Sequence, residues 1–114
     1  MNCFERLAEY AKRKKGKEFS ATTLERADEV ITKFLMLGFD LDFIRTFPGV
    51  DDNILIIGRK ENIDFEIDVE EGNCYDLMVE EFLTEKHSET LLEKYGLCYD
   101  DLWEIIEKIV EEDE

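Results

Sequence analysis

The sequence predicts an α+β fold, in which a three- to four-stranded antiparallel β-meander is flanked by N- and C-terminal helices. Residues 62–70 alternate strictly between apolar and acidic side chains, which is the pattern of a strand with one buried face. Residues 22–38 repeat apolar side chains at helical spacing, and short turn motifs separate the strand-like segments. With 114 residues the chain has room for one core, so residues 1–114 are predicted to form a single acidic domain.

A short amphipathic helix is predicted over residues 3–15, because Phe4, Leu7 and Ala8 recur at helical spacing. A basic run over residues 12–17 closes it, and cations there suit the negative end of a helix dipole. Direct nucleic-acid contact is the alternative interpretation of this run. The strong negative charge of the rest of the chain argues against that alternative.

A longer second helix is predicted to begin at Thr22, where Glu25 three residues later completes a capping box, and to end at Gly38. Its apolar side chains fall within one arc of roughly 160° at 100° per residue. This helix is therefore the expected packing partner of the sheet. Met36 lies on its opposite, polar side and is expected to be exposed.

The candidate strands share β-branched and aromatic residues bounded by turn residues, and they cover residues 41–47, 54–57, 62–70 and 75–79. The run Ile54–Ile57 is continuously apolar, as in a central strand that is covered on both faces. If Gly58 or Lys60 faces Ile63 across the turn, Leu55 and Ile57 lie on the acidic face as an apolar spot rimmed by carboxylates. A three-residue loop would exchange the inward and outward pairs.

The C-terminal part is predicted to be helical. Residues 83–95 form one expected helix, with Ser88 as a cap within it and Gly96 as its end. Asp101 and Glu104 then open a last helix, whose apolar residues again form one wide arc.

Charge is the most unusual property of the chain. The formal net charge is −16, and residues 61–114 hold twenty acidic against three basic residues, or −17. Such a field repels nucleic acid and anionic membranes and attracts a basic protein partner. The alternative interpretation is that the acidic residues serve solubility alone.

The three cysteines, Cys3, Cys74 and Cys98, are odd in number and far apart in sequence. The chain starts with no signal-peptide pattern, and no run approaches the roughly 18 apolar residues of a membrane helix. These features predict a cytoplasmic protein with free thiols.

Signatures of catalysis are absent from the sequence. It has no glycine-rich phosphate loop, paired-cysteine motif or nucleophile elbow, and His87 stands in a polar stretch typical of the surface. Asp64, Glu66 and Asp68 could in principle hold Mg²⁺ or Ca²⁺, but alternate side chains of one strand do not converge on one ion. No catalytic residue, cofactor or metal site is predicted.

The acidic side of residues 62–70 is instead predicted to contact a basic partner. Like charges on one strand face repel one another, and the neighbouring segment supplies only Arg59 and Lys60 as cations. The alternative is that the protein tolerates this repulsion for the sake of solubility. The predicted partner-binding residues are Asp64, Glu66, Asp68, Glu70, Leu55 and Ile57.

A set of turn and strand residues follows the second helix in a fixed order: Phe47-Pro48, Asp51-Asp52-Asn53-Ile54, Glu66-Ile67, Gly72 and Tyr75. In this order, over residues 22–79, the chain resembles a group of small uncharacterised bacterial proteins in which a helix runs into a β-meander. Some of those are thought to belong to toxin–antitoxin-like pairs, so the resemblance implies partner binding and supplies no catalytic residue. The group often has an aromatic residue at the end of its second strand, where this chain has Gly58.

The sequence thus predicts a small cytoplasmic interaction module, not an enzyme, that binds and neutralises a basic protein as an inhibitor, antitoxin or immunity factor. One alternative is a structural or self-associating module, such as a homodimer built on the apolar helix faces. A second alternative is an enzyme with a carboxylate-bound metal.

Overall fold

The computed structural model describes residues 1–12, 19–49, 51–70 and 72–112. Its elements, in chain order, are helices α1 (Cys3–Tyr10) and α2 (Ala21–Met36), a short 3₁₀ helix (Leu41–Phe43), strands β1 (Ile44–Pro48), β2 (Ile54–Lys60), β3 (Ile63–Val69), β4 (Tyr75–Thr84) and β5 (His87–Leu97), and helix α3 (Tyr99–Glu112). The strands form one antiparallel sheet in the order β1-β2-β3-β4-β5. The predicted α+β class, with helices before and after an antiparallel meander, is confirmed.

The register of β2 and β3 follows the first of the two predicted pairings. Lys60 faces Ile63 across the two-residue turn, and Ile56 faces Ile67. Because side chains alternate along a strand, Ile54 and Ile56 point into the core, while Leu55 and Ile57 share the other face with the β3 carboxylates. The apolar run of β2 is therefore covered by helices on one side only.

The prediction of a helix over residues 83–95 is wrong, and the predicted three to four strands are five. β4 continues to Thr84 and returns through a two-residue turn, so that Thr84 faces His87. The turn residues Glu85 and Lys86 give no sequence signal, since tight hairpins are usually marked by Asn-Gly or Asp-Gly. Gly96, expected to end a helix, lies within β5 with a φ of 65°.

The helix boundaries also differ from those predicted. α1 is capped by Asn2, whose side chain accepts the backbone N–H of Glu5 at 2.9 Å, and the predicted basic run continues outside the described residues from position 13. α2 begins before Thr22, because the cap is Ser20. Similarly, α3 begins at Tyr99, two residues before the predicted Asp101.

A hydrogen-bonded cluster ties the β1–β2 loop to the start of α2. The carboxylate of Asp52 accepts the backbone N–H of Ser20 at 2.8 Å, its hydroxyl at 2.7 Å and the Thr23 hydroxyl at 2.9 Å. Burial raises the pKa of Asp52, but the hydrogen bonds from Ser20 and Thr23 outweigh burial and lower it. The loop before β2 is thus fixed by a charge at the positive end of α2.

All three helices pack on the face of the sheet that carries Ile54 and Ile56. The ring of Phe34 in α2 covers Gly58, where an added Cβ would lie 3.0 Å from three ring atoms. Trp103 of α3 meets Phe34 edge-on at 5.2 Å between ring centroids, and the Tyr10 hydroxyl of α1 donates to the Thr46 carbonyl at 3.2 Å.

Arg26 fixes the β3–β4 turn to α2. Its side chain is buried, and its guanidinium donates to the Tyr75 hydroxyl at 3.3 Å, to the Cys74 carbonyl at 2.9 Å and to the Glu70 carbonyl. The guanidinium also lies 4.4 Å from the centroid of the Tyr75 ring. These contacts position the end of the sheet at which three carboxylates meet.

Candidate functional site

The second face of the sheet is covered by none of the described helices or strands, and we call it the open face. Its side chains follow from the strand registers, because residues paired across an antiparallel sheet point to the same side. The open face includes Arg45, Phe47, Leu55, Ile57, Arg59, Asp64, Glu66, Asp68, Asp76, Met78, Glu80, Phe82, Ser88, Thr90 and Glu93. All six predicted partner-binding residues except Glu70 are among them, and Glu70 follows directly after β3.

Cross-strand rows divide the open face into an apolar and an acidic part. One row runs from Arg45 through Ile57, Glu66 and Met78 to Glu93. The next row runs Phe47, Leu55, Asp68 and Asp76. Apolar side chains therefore dominate β1 and β2, and carboxylates dominate β3, β4 and β5.

Asp64 does not belong to the exposed acidic part. It is 4% exposed, and Arg59 binds its two carboxylate oxygens at 2.6 and 3.1 Å. Arg45 approaches the same carboxylate to 3.9 Å, and the Arg59 guanidinium stacks on Phe82 at 4.5 Å from the ring centroid. The charge of Asp64 is therefore balanced by Arg59 and Arg45. The other carboxylates of the open face are the ones available to a partner.

Glu66 and Asp68 are half-buried carboxylates beside other acids. Burial, followed by the charges of Glu80 and Asp64, raises the pKa of Glu66, although Arg45 opposes the shift. Burial and the charge of Asp76 raise the pKa of Asp68. Both groups therefore lie in a negative potential that an incoming cation would relieve.

The highest concentration of negative charge is at the β3–β4 end of the open face. Asp68, Glu70 and Asp76 each place a carboxylate oxygen within 4.8 Å of the others. A hydrogen bond shared with Asp76, together with burial and the charges of Asp76 and Asp68, raises the pKa of Glu70 to about 7. At neutral pH the Glu70 carboxyl is therefore protonated part of the time, and its proton is shared with Asp76 through this hydrogen bond.

This cluster is expected to make the protein less stable as the pH rises from about 4.5 to about 7. A folded-state pKa raised above the unfolded value of 4.5 means that the native state holds more protons in this range, so the contribution of Glu70 is lost with rising pH. Melting temperatures of the wild type and Glu70→Gln, measured from pH 4 to 8, should diverge over that interval. The wild type should lose stability relative to the variant.

The control for this pH series is Glu89→Gln, which removes one exposed carboxylate from β5. Its melting temperature should run parallel to that of the wild type across the pH range. A constant difference between wild type and Glu70→Gln from pH 4 to 8 would contradict the shared proton.

An apolar depression of about 200 Å³ lies between the acidic and apolar parts. Leu55 and Met78 are half-buried in its wall, and Ile57 beside it is 7% exposed. Phe47 is 42% exposed at the β1 edge. The depression is also lined by Glu66, Asp68, Asp76, Glu93 and Tyr95. Apolar and acidic contacts are thus available within one continuous surface.

Sequence reasoning missed the contributions of β4 and β5 to this surface. The alternation of Tyr75, Leu77 and Val79 carried a usable signal, because it places Asp76 and Met78 on the opposite side. Glu93 had no such signal, since its segment resembled a helix. β4 therefore adds Asp76 and Glu80, and β5 adds Glu93, to the acidic surface that β3 was predicted to present.

The three β3 carboxylates that were considered for a metal ion, Asp64, Glu66 and Asp68, do not form one cluster among the described residues. Asp64 is bound by Arg59, and the carboxylates that converge are Asp68, Glu70 and Asp76, from two strands and the turn between them. The hydrogen bond between Glu70 and Asp76 accounts for the approach of those two groups, and a group of acidic residues alone does not define a metal site. His87 is exposed at the start of β5.

None of the described helices is long and apolar enough to cross a membrane. No protein-family model, curated protein or solved structure matches the chain. The resemblance to small bacterial helix-plus-meander proteins therefore stays a prediction, and the function has to be argued from the open face itself.

Proposed function

We propose that the open face binds a basic partner protein and thereby neutralises it, in the manner of an inhibitor, antitoxin or immunity factor. One observation carries this proposal: α1, α2 and α3 pack on one face of the sheet, while the other face, which no described helix or strand covers, combines an acidic part with an apolar depression. Antiparallel sheets do have solvated faces, but those are usually polar throughout. The mixed character of the open face favours a protein contact.

The partner that fits best presents lysine or arginine beside apolar side chains. Cations of the partner would lie over Glu66, Asp68 and Asp76. The pKa values of Glu66 and Asp68 are raised, and Asp76 lies close to two other acids, so an opposite charge would stabilise these carboxylates. Apolar side chains would enter the depression beside Leu55. Charge would set the rate and orientation of association, and burial of the apolar part would set the lifetime of the complex.

Self-association through the open face is disfavoured by the same charges. A symmetric dimer places the same patch on both subunits, so the acids of β3 and β4 would face their own copies or one another. Like charges brought together at an interface cost several kcal/mol as an order of magnitude. The structural alternative would therefore need a different surface.

The proposal is tested by neutralising three acids that have no salt bridge to any described residue: Glu66→Gln, Asp68→Asn and Asp76→Asn together. The probe is a fluorescent peptide of alternating lysine and leucine, because it presents cations and apolar groups at strand spacing. We expect its affinity, measured by anisotropy at low salt, to fall at least about tenfold, or roughly 1.4 kcal/mol. The salt dependence of binding should also become shallower.

The matched control removes the same charge elsewhere: Glu104→Gln, Glu111→Gln and Glu112→Gln on exposed positions of α3. This variant should bind like the wild type. Equal losses in both triple variants would mean that only net charge matters, and the open face would then be a solvated surface. A lysine-serine peptide serves as a second probe, which carries the cations without the apolar groups. Leu55→Asn should lower the affinity for the lysine-leucine peptide and leave the affinity for the lysine-serine peptide unchanged.

A further inference from the structure

Two of the three cysteines are brought together by the pairing of β4 with β5. Tyr75, the first residue of β4, faces Leu97, the last residue of β5. Cys74 directly precedes Tyr75 and Cys98 directly follows Leu97, so extending the same antiparallel register by one residue puts the two cysteines opposite each other. The sequence, in which they stand far apart, predicted three unrelated thiols.

The geometry of an antiparallel pair suits a disulfide. Residues directly opposite each other have Cα atoms roughly 4.5–5.5 Å apart and Cβ atoms at similar distances. Disulfides need Cα atoms roughly 4.4–6.8 Å apart and Cβ atoms at about 3.5–4.5 Å. The two Cα ranges overlap, and the two Cβ ranges meet at about 4.5 Å, which is the closer spacing found in antiparallel pairs.

Both thiols are free and exposed, whereas Cys3 is buried in the core at 2% exposure. Burial is also the main cause that raises the pKa of the Cys3 thiol, which disfavours the reactive thiolate there. Reaction with a soluble oxidant is therefore directed to Cys74 and Cys98.

We infer that Cys74 and Cys98 form a reversible disulfide when the protein meets a small disulfide oxidant such as oxidised glutathione. One protein thiolate attacks the oxidant, forms a mixed disulfide and releases one glutathione thiolate. The second protein thiolate then attacks the protein sulfur of that mixed disulfide and releases the second glutathione. Two protein thiols lose two protons and two electrons, and one glutathione disulfide is reduced to two thiols.

The bond would connect two junctions of the fold. The Cys98 carbonyl accepts the N–H of Leu102 at 3.0 Å, so Cys98 lies at the start of α3. The Cys74 carbonyl accepts the Arg26 guanidinium at 2.9 Å and the Glu70 N–H at 3.4 Å, so Cys74 belongs to the β3–β4 turn. Oxidation would hold this turn, and the carboxylate of Glu70 beside it, against the start of α3. This inference is independent of what the open face binds.

The test treats the full chain at low micromolar concentration with oxidised glutathione and measures its intact mass under denaturing conditions. The expected product is a monomer lighter by two hydrogen atoms, with Cys74 and Cys98 in one crosslinked peptide after digestion. Its melting temperature should exceed that of the reduced protein by roughly 5–10 °C, since the bond closes a loop of intermediate length. Dithiothreitol should reverse both changes.

Single variants separate the crosslink from general thiol reactivity. Cys74→Ser and Cys98→Ser should each stop at a mixed disulfide with glutathione, whereas Cys3→Ala should still form the crosslink. Two glutathione adducts on one wild-type chain would overturn the inference. A disulfide-linked dimer, or a crosslink that includes Cys3, would overturn it as well.

Discussion

Replacing Phe34 by alanine is expected to lower the free energy of unfolding by about 3–5 kcal/mol. Phe34 is fully buried, its ring lies 4.7 Å from that of Phe39 and 5.2 Å from that of Trp103, and it fills the space over Gly58. The small alanine side chain would leave a cavity where α2, α3 and β2 meet. Because domains of this size are stable by only about 5–15 kcal/mol, the variant should be close to unfolding.

Urea unfolding followed by far-ultraviolet circular dichroism measures this loss, and the single Trp103 gives an independent fluorescence signal. The control is Phe43→Ala, since Phe43 is 55% exposed in the 3₁₀ helix. That change should stay within about 0.5 kcal/mol of the wild type. Similar losses in the two variants would mean that Phe34 does not occupy the centre of the core.

Arg26→Met is expected to cost about 2–4 kcal/mol, although methionine retains much of the apolar volume. The substitution removes the donors to the carbonyls of Glu70 and Cys74 and to the hydroxyl of Tyr75. The Glu70 carbonyl and the Tyr75 hydroxyl each lose a donor, whereas the Cys74 carbonyl keeps the Glu70 N–H. A buried group left without a partner costs about 1–3 kcal/mol, less whatever water recovers. The cation over the Tyr75 ring is lost as well.

Two comparisons isolate the role of the guanidinium. Arg26→Lys keeps the charge with fewer directed donors and should fall between the wild type and Arg26→Met. Arg6→Met, on an exposed position of α1, should change stability by less than about 0.5 kcal/mol. Amide hydrogen exchange at Glu70 gives a local readout, because its N–H bonds to the Cys74 carbonyl and should exchange faster in Arg26→Met. An unchanged exchange rate would contradict the anchoring of the turn by Arg26.

The sequence predicted those parts of the fold in which a local pattern matches a local structure. The alternation of residues 62–70 matches β3, the helical arc after Ser20 matches α2, and Lys60 faces Ile63 as one of the two predicted registers required. The helix predicted over residues 83–95 is wrong, because leucines on the exposed hairpin of β4 and β5 happen to resemble a helical pattern. The hairpin is stabilised by pairing between two strands. The pattern of one short segment carries no information about that pairing.

For the open face, the sequence located the acidic strand and the apolar spot beside it. It did not reveal that Asp64 is neutralised by Arg59, because that depends on which charged side chain lies opposite on the neighbouring strand. The addition of Asp76 and Glu93 depends on the registers of β4 and β5. The pairing of β4 and β5 beside β3 therefore extends the acidic strand into an acidic surface.

What the sequence alone determined is the α+β class, the negative charge and the direction in which β3 presents its carboxylates, since each follows from composition or from period-two alternation. The tertiary structure decided which groups meet. It placed carboxylate oxygens of Asp68, Glu70 and Asp76 within 4.8 Å of one another, paired Tyr75 and Leu97 next to Cys74 and Cys98, and put the described helices on one face of the sheet. These contacts join residues distant in sequence, so they arise only when strand pairing and helix packing bring separate segments together.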